Sequence, residues 1–169
     1  MTTQDNKHTE LPAGFVPIPI LNPDGFDALT GGFAIKDDDG HLVAGFRVEA
    51  RHCNHAKICH GGMLATVCDG YLALAAMYRN DFQLAILPTM SLTVDYLAPS
   101  ELNDWVEIRA EVLRVTRNAV FVQGLARVNG APVVRASGVF KRGSPKPDGI
   151  DAGKALRGFL KAPMSTNAS

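Results

Sequence analysis

"CHGGMLATVCDGYLALAAMYRN" spans residues 59–80, and its period sets the fold. Leu64, Val67, Tyr71, Leu74 and Tyr78 recur at spacings of three and four. That spacing puts them on one face of an amphipathic helix of about four to five turns, which Asn80-Asp81 is placed to end. A second face carries Gly62, Ala65, Asp69, Ala73 and Ala76. All but one of these are tiny, and the face lacks the Lys and Glu of a solvated stripe. Another chain or backbone can therefore approach it closely, and the lone acid reads as lying in a cleft. Gly61 and Gly62 stand where the helix begins. The first N–H groups of a helix have no partner inside it and carry partial positive charge. Glycine there lets a carbonyl come close to the backbone, so the helix start reads as a site that stabilises an oxyanion.

On both sides of the helix the period changes to two. "GGFAIKDDDGHLVAGFRVE" (31–49) reads as a hairpin turning at Asp37–Gly40. "LPTMSLTVDYLAP" (87–99), "DWVEIRAEVLRVTRN" (104–118), "AVFVQGLARVNG" (119–130) and "PVVRASGVFKR" (132–142) read as four further strands. Asn129-Gly130 forms a tight turn between the last two. A strand hairpin, one long helix and four strands predict an α+β fold, with a curved antiparallel sheet around a single central helix. One helix cannot cover both faces of a wide sheet, so a second subunit is expected to complete the burial. Pro12, Pro17, Pro19 and Pro23 mark residues 1–25 as an extended arm, and residues 143–169 offer a short surface helix and a polar tail.

The bulk numbers agree with one soluble domain. The chain has 169 residues, 46% of them hydrophobic and 20% charged. Its first residues are polar, it has three cysteines, and it contains no apolar run of spanning length. A cytoplasmic protein without a disulfide framework is the expectation. The formal net charge is zero, which gives no general case for nucleic-acid or membrane partners. Residues 1–100 hold 6 Lys and Arg against 11 Asp and Glu, whereas residues 101–169 hold 11 against 6. The basic half can offer a local surface for phosphates, or only solvated strand faces.

"HCNHAKICHGG" (52–62) gathers His52, Cys53, His55, Cys59 and His60 in one segment. A zinc site needs four convergent ligands, usually as two short-spaced pairs from separate segments. Here the remaining candidates are only Cys68, His41 and His8, so no metal is expected. A Cys59–His60 dyad is disfavoured too, because neighbouring side chains point apart and dyads join residues remote in sequence. No G-x-S-x-G elbow and no Gly-rich nucleotide loop occurs.

Asn54, His60-Gly61-Gly62 and Asp69, followed by "TMSLTVDYLAP" (89–99), resemble the hotdog-fold acyl-CoA thioesterases of the PaaI/4HBT type. The likeness covers about residues 30–142, so the hotdog domain is placed at 26–142. It implies that Asp69 attacks the thioester carbonyl or activates a water, and that the Gly61 N–H polarises that carbonyl. It further implies that His60 shapes the helix start, that Asn54 holds the water or thioester, and that Thr89 assists the acid across a dimer interface. The expected assembly is a homodimer or a dimer of dimers, with acyl-CoA as substrate and no cofactor. Gly62 is expected to line the substrate site. At Lys57 relatives usually carry a small residue, often Gly, so this lysine is expected either to narrow the acyl pocket or to meet an anionic group. Arg114 and Arg117, with Lys141 and Arg142, are candidates for the coenzyme phosphates. Two other readings stand beside this one: an acyl-CoA-binding module without turnover, and a hydratase or dehydratase, which would need a second well-placed acid.

Overall fold

The computed structural model describes residues 10–20, 22–79, 87–142 and 152–161. Strand β1 (Val16–Pro17) and helix α1 (Phe26–Thr30) precede the hairpin of β2 (Ala34–Asp38) and β3 (His41–Arg47). Helix α2 (Gly61–Arg79) follows, then β4 (Thr89–Tyr96), β5 (Trp105–Val115), β6 (Ala119–Val128), β7 (Ala131–Lys141) and helix α3 (Ala152–Lys161). The strands form one antiparallel sheet in the order β1-β2-β3-β5-β6-β7-β4. The expected architecture of a curved antiparallel sheet and one long central helix is what forms.

Turn chemistry pins the register of two hairpins. Asp39 and Gly40 (φ 52° and 75°) turn β2 into β3, and Asn129 and Gly130 (φ 50° and 84°) turn β6 into β7. Two consecutive positive φ values match the twist of the flanking strands, which is why Asp-Gly and Asn-Gly occupy these places. Register then sends Val106 and Ile108 of β5, Val120 and Val122 of β6, and Val134, Ala136 and Phe140 of β7 inward onto α2, where each is at most 1% exposed.

Helix α2 is buried further round than an amphipathic reading predicts. Leu64, Val67, Tyr71 and Tyr78 are in the core, and so are Met63, Cys68, Leu72 and Met77; Leu74 is only half-buried. The helix lies so close to the sheet that a Cβ at Gly124 would stand 2.7 Å from Leu72 Cδ2. Of the small face, Gly62 is exposed, Ala65, Asp69 and Ala73 are half-buried, and Ala76 is fully buried. The face therefore opens only along the first part of the helix. Asn80-Asp81, read as its end, lies outside the described residues.

Where β3 and β5 stop pairing, beyond Val43 and Arg109, α2 supplies the link. The buried Tyr71 hydroxyl donates to the Leu42 carbonyl. Strand β4 departs from its sequence reading. Alternation of Leu92, Val94 and Tyr96 predicts a half-buried strand, yet none of its residues is fully buried and Tyr96 is 54% exposed. Strand β4 is the edge of the sheet, and no described strand pairs with its outer side.

Both ends of the chain are more engaged than the sequence implies. Within the segment read as an arm, β1 pairs with β2, and Phe15 packs edge-on against Trp105 (5.0 Å, 78°) on the outer face of the sheet. Arg47 lies over the same indole at 5.2 Å. In α3, Leu156 and Leu160 pack on the main core and Arg157 Nη1 donates to the Tyr78 carbonyl at 2.6 Å.

Burial pushes the Cys68 thiol up to about 12 from 9.0. Burial and the adjacent Asp37 push the Tyr78 hydroxyl up to about 12 from 10.0, and burial raises Tyr71 further. All three bind their proton more tightly folded than unfolded, so their contribution is complete below pH 9.0 and fades as pH rises through about 12. Denaturation midpoints should fall steadily over that window, and Cys68→Ala should flatten the first part of the fall in urea titrations repeated at each pH.

Candidate active site

The candidate site begins in the loop that leads into α2. His52 is 5% exposed and fully engaged. Its Nδ1 accepts from the Glu49 N–H at 3.0 Å, and its Nε2 pairs with the Thr30 carbonyl at 2.8 Å. This histidine fixes the loop and is spent on structure. The chain then makes a short hairpin, with the Asn54 N–H donating to the Ile58 carbonyl at 2.9 Å and the His60 N–H to the His52 carbonyl at 2.7 Å. Asn54 Oδ1 accepts from the Ala56 N–H at 2.9 Å, which leaves the amide nitrogen as its donor. Among the described residues no three His, Cys, Asp or Glu side chains converge as a metal site.

Lys57 sits at the tip with φ 61°, in the left-handed region. A non-glycine residue pays roughly 1 kcal/mol to stand there. Glycine would stand there without that cost.

The start of α2 can be accounted donor by donor. The Met63 and Leu64 N–H groups donate to the His60 carbonyl at 2.9 and 3.2 Å. The Gly62 N–H donates to His60 Nδ1 at 2.8 Å, so His60 caps the helix with its ring as well as its carbonyl. The Gly61 N–H has no acceptor among the described residues. It is the first N–H of a 19-residue helix and carries the positive end of its dipole. Gly62, a candidate for lining the site, thus has its own N–H committed to His60 and offers an exposed, side-chain-free surface instead.

Tyr96 is a member of the site that sequence reasoning missed. Its hydroxyl donates to the Gly61 carbonyl at 2.9 Å, and its ring stands 3.1–3.3 Å from where a Gly61 Cβ would be. A side chain at 61 would displace this aromatic wall by a few tenths of an ångström. In the sequence Tyr96 is one more apolar position in an alternating strand; its 54% exposure appears only in the fold.

Asp69 and Thr89 meet within the chain. Thr89 Oγ1 donates to Asp69 Oδ1 of the same chain at 2.7 Å. No described residue donates to Oδ2. Asp69 is eight residues beyond Gly61. At 1.5 Å per residue the two are about 12 Å apart along the helix. One chain therefore holds His60 and Gly61, preceded by the Asn54 loop, at one place, and Asp69 and Thr89 at another.

The basic candidates separate as well. Thr89 pairs with Phe140, and the Lys141 N–H donates to the Pro88 carbonyl at 2.7 Å, which sets Lys141 beside the acid's partner. The Arg142 N–H donates to the Asn118 carbonyl at 2.8 Å, joining the turn that holds Arg117. Arg114 opposes Phe121, which opposes Val139, which opposes Ser91. Three strand spacings put it about 14 Å from the β4 edge. A cavity of about 500 Å³ is lined by His41, Arg79, Arg109, Glu111, Arg127 and Arg135 among others. It lies at the other end of α2, away from Gly61 and Asp69.

Because Lys57 holds a left-handed conformation, Lys57→Gly should raise stability by about 0.5–1 kcal/mol in urea denaturation, the strain relieved exceeding the entropy glycine adds to the unfolded chain.

A family model described as the thioesterase superfamily matches residues 56–131. A Pseudomonas aeruginosa protein provisionally named an esterase is 29% identical over 134 residues, which are 77% of this chain and 96% of that one. Human acyl-coenzyme A thioesterase 13 is 27% identical over 82 residues, 48% of this chain and 57% of the enzyme. Among solved structures, the TT0310 protein of Thermus thermophilus aligns with TM-score 0.61 at 25% identity, over 73% of this chain and 99% of its own. A Streptococcus pneumoniae thioesterase protein solved with coenzyme A aligns with TM-score 0.60 at 22% identity, over 78% and 98%. The sheet order and the central helix are those of the hotdog fold, and residues 56–131 are similar to the thioesterase superfamily.

Proposed function

We propose that the protein hydrolyses acyl-CoA thioesters to a free acid and coenzyme A. The observation that carries this reading is the donor accounting at the start of α2. Every other early N–H is satisfied by His60, and the one left over, at Gly61, lies beside glycine on an exposed surface. A lone, oriented N–H at a helix N-terminus stabilises the charge that grows on a thioester oxygen as its carbonyl is attacked. Asp69 supplies the other requirement. With Thr89 occupying Oδ1, Oδ2 is the oxygen available to attack the carbonyl or to take a proton from water. The Asn54 amide nitrogen is a second donor for the carbonyl or the water, and His60 holds the backbone that presents Gly61.

The 12 Å between these two half-sites, about eight helical residues, is the main reason to propose a shared site. An antiparallel pairing of two copies across β4 and the open face of α2 brings Gly61 of one beside Asp69 of the other. The bare edge of β4, with Met90 63% and Leu97 52% exposed, supports that pairing. The pantetheine arm of coenzyme A carries its phosphates well away from the thioester, so basic groups remote from Asp69 are the candidates to meet them; Lys141, the residue after the inward Phe140, turns to the outer face of the sheet. Arg117 and Arg142 extend the same basic corner, Arg114 stands further off, and Lys57 lies at the tip of the oxyanion loop.

Two measurements test this reading. Coenzyme A release from a panel of acyl-CoAs should be slower by a hundredfold or more in Asp69→Asn, about 2.7 kcal/mol of lost transition-state stabilisation. Absence of turnover by the unaltered protein on every member overturns the proposal. Co-expressing Asp69→Asn with Asn54→Ala should recover about a quarter of normal activity, because half of randomly paired dimers then hold one intact site of two. A site contained in one chain recovers nothing. Arg117→Ala should raise KM for acyl-CoA several-fold with kcat little changed.

A further inference from the structure

Cys53 and Cys59 face each other across the short hairpin that carries Asn54 and Lys57. Their pairing can be classified from its hydrogen bonds. The Asn54 N–H reaches the Ile58 carbonyl and the His60 N–H reaches the His52 carbonyl, so the bonds flank the cysteines and the cysteines exchange none. That is the non-hydrogen-bonded kind of antiparallel pair, with Cα atoms about 4.5 Å apart and side chains on the same face. The separation falls inside the roughly 4.4–6.8 Å range that a disulfide spans without moving the backbone. Both thiols are free, Cys53 half-buried and Cys59 buried. Each is held only by a weak contact, Cys53 Sγ to the Glu49 carbonyl at 3.5 Å and Cys59 Sγ to the His60 carbonyl at 3.9 Å.

From this geometry we infer that Cys53 and Cys59 are an oxidation site that closes reversibly to a disulfide on reaction with a low-molecular-weight disulfide. The half-exposed Cys53 thiolate attacks one sulfur of the oxidant, forming a mixed disulfide and expelling one thiolate. Cys59 then loses its proton to solvent and attacks the Cys53 sulfur, expelling the second. Two protein thiols and one small disulfide become one protein disulfide and two small thiols. Burial, with Cys53 alongside, holds the Cys59 thiol up at about 11, which fits it to the second, intramolecular step rather than the first. Cys68 is 1% exposed on α2 and stays out of the exchange.

The bridge encloses residues 54–58 and ties the Asn54 loop covalently to the residue before His60. The sulfhydryl now beside the His60 carbonyl, which also receives the Met63 and Leu64 N–H groups, is withdrawn when the bond forms. The inference rests on the pair's geometry alone and stands or falls separately from the thioesterase reading.

The full-length protein is equilibrated under native conditions in glutathione buffers of graded redox ratio, alkylated with iodoacetamide and digested with trypsin. Cleavage after Lys57 falls between the two cysteines, so the disulfide appears as peptide 52–57 joined to peptide 58–79, two hydrogens lighter than the pair, with Cys68 alkylated. The linked pair should dominate at the oxidised end, vanish with dithiothreitol, persist in Cys68→Ala and be absent from Cys53→Ala. Far-ultraviolet circular dichroism should be the same in both forms. Alkylation of all three cysteines at every ratio, a glutathione adduct that stops on Cys53, or a bridge that includes Cys68 overturns it.

Discussion

Helix α2 has ten buried residues out of 19, distributed around its circumference, and it is enclosed by one curved sheet. A helix buried on one stripe can rest on a flat layer; this one requires a surface that wraps it. The sheet meets that need by curling, by glycine at position 124 where Leu72 of the helix packs against it, and by Tyr71 linking β3 to the helix where β3 leaves β5. The consequence for chemistry lies at the helix ends. With its flanks committed to the core, α2 can meet a ligand through its N-terminus and through the short open stretch of small residues around Asp69.

The candidate site and the fold are therefore held by the same contacts. His52 joins the loop before α2 to Thr30 and to Glu49, and that loop sets His60, whose ring and carbonyl satisfy the early N–H groups. What remains unsatisfied is one donor at Gly61, kept accessible by the absence of a side chain and walled by Tyr96. Thr89 works in the same way on Asp69, using one carboxylate oxygen and leaving the other. In both cases packing and capping decide which polar group is left without a partner among the described residues, a free donor at one place and one oxygen of a half-buried carboxylate at the other.

Much of this was legible in the sequence, for reasons of period. The helix, the Asp39-Gly40 and Asn129-Gly130 turns, and the inward residues of β5, β6 and β7 all follow from local patterns that tertiary contacts reinforce. Strand β4 has the same alternation and yet is bare, because period reports a potential face and not whether anything lies against it. Strand β1 was hidden by Pro17 in a proline-rich stretch, and α1 by its five-residue length. At the site, His60, Gly61, Gly62 and Asp69 were visible as spacing. The Thr89 contact came only through likeness to a family, and its hydrogen bond to Asp69 within one chain was not legible. Tyr96 and the structural role of His52 were not visible at all, since each depends on a carbonyl from a distant segment: Gly61 for one, Thr30 for the other.

Trp105 is the only tryptophan in the chain, and it sits outside the main core. Its neighbours are Phe15 from the N-terminal segment and the Arg47 guanidinium, on the face of the sheet turned away from α2. Its indole emission thus reports whether that outer cover is in place, while far-ultraviolet dichroism reports the helix and sheet beneath. The two signals follow different parts of the molecule. A fluorescence transition taken alone measures the release of a few residues before β1, and equals global unfolding only when both signals change together.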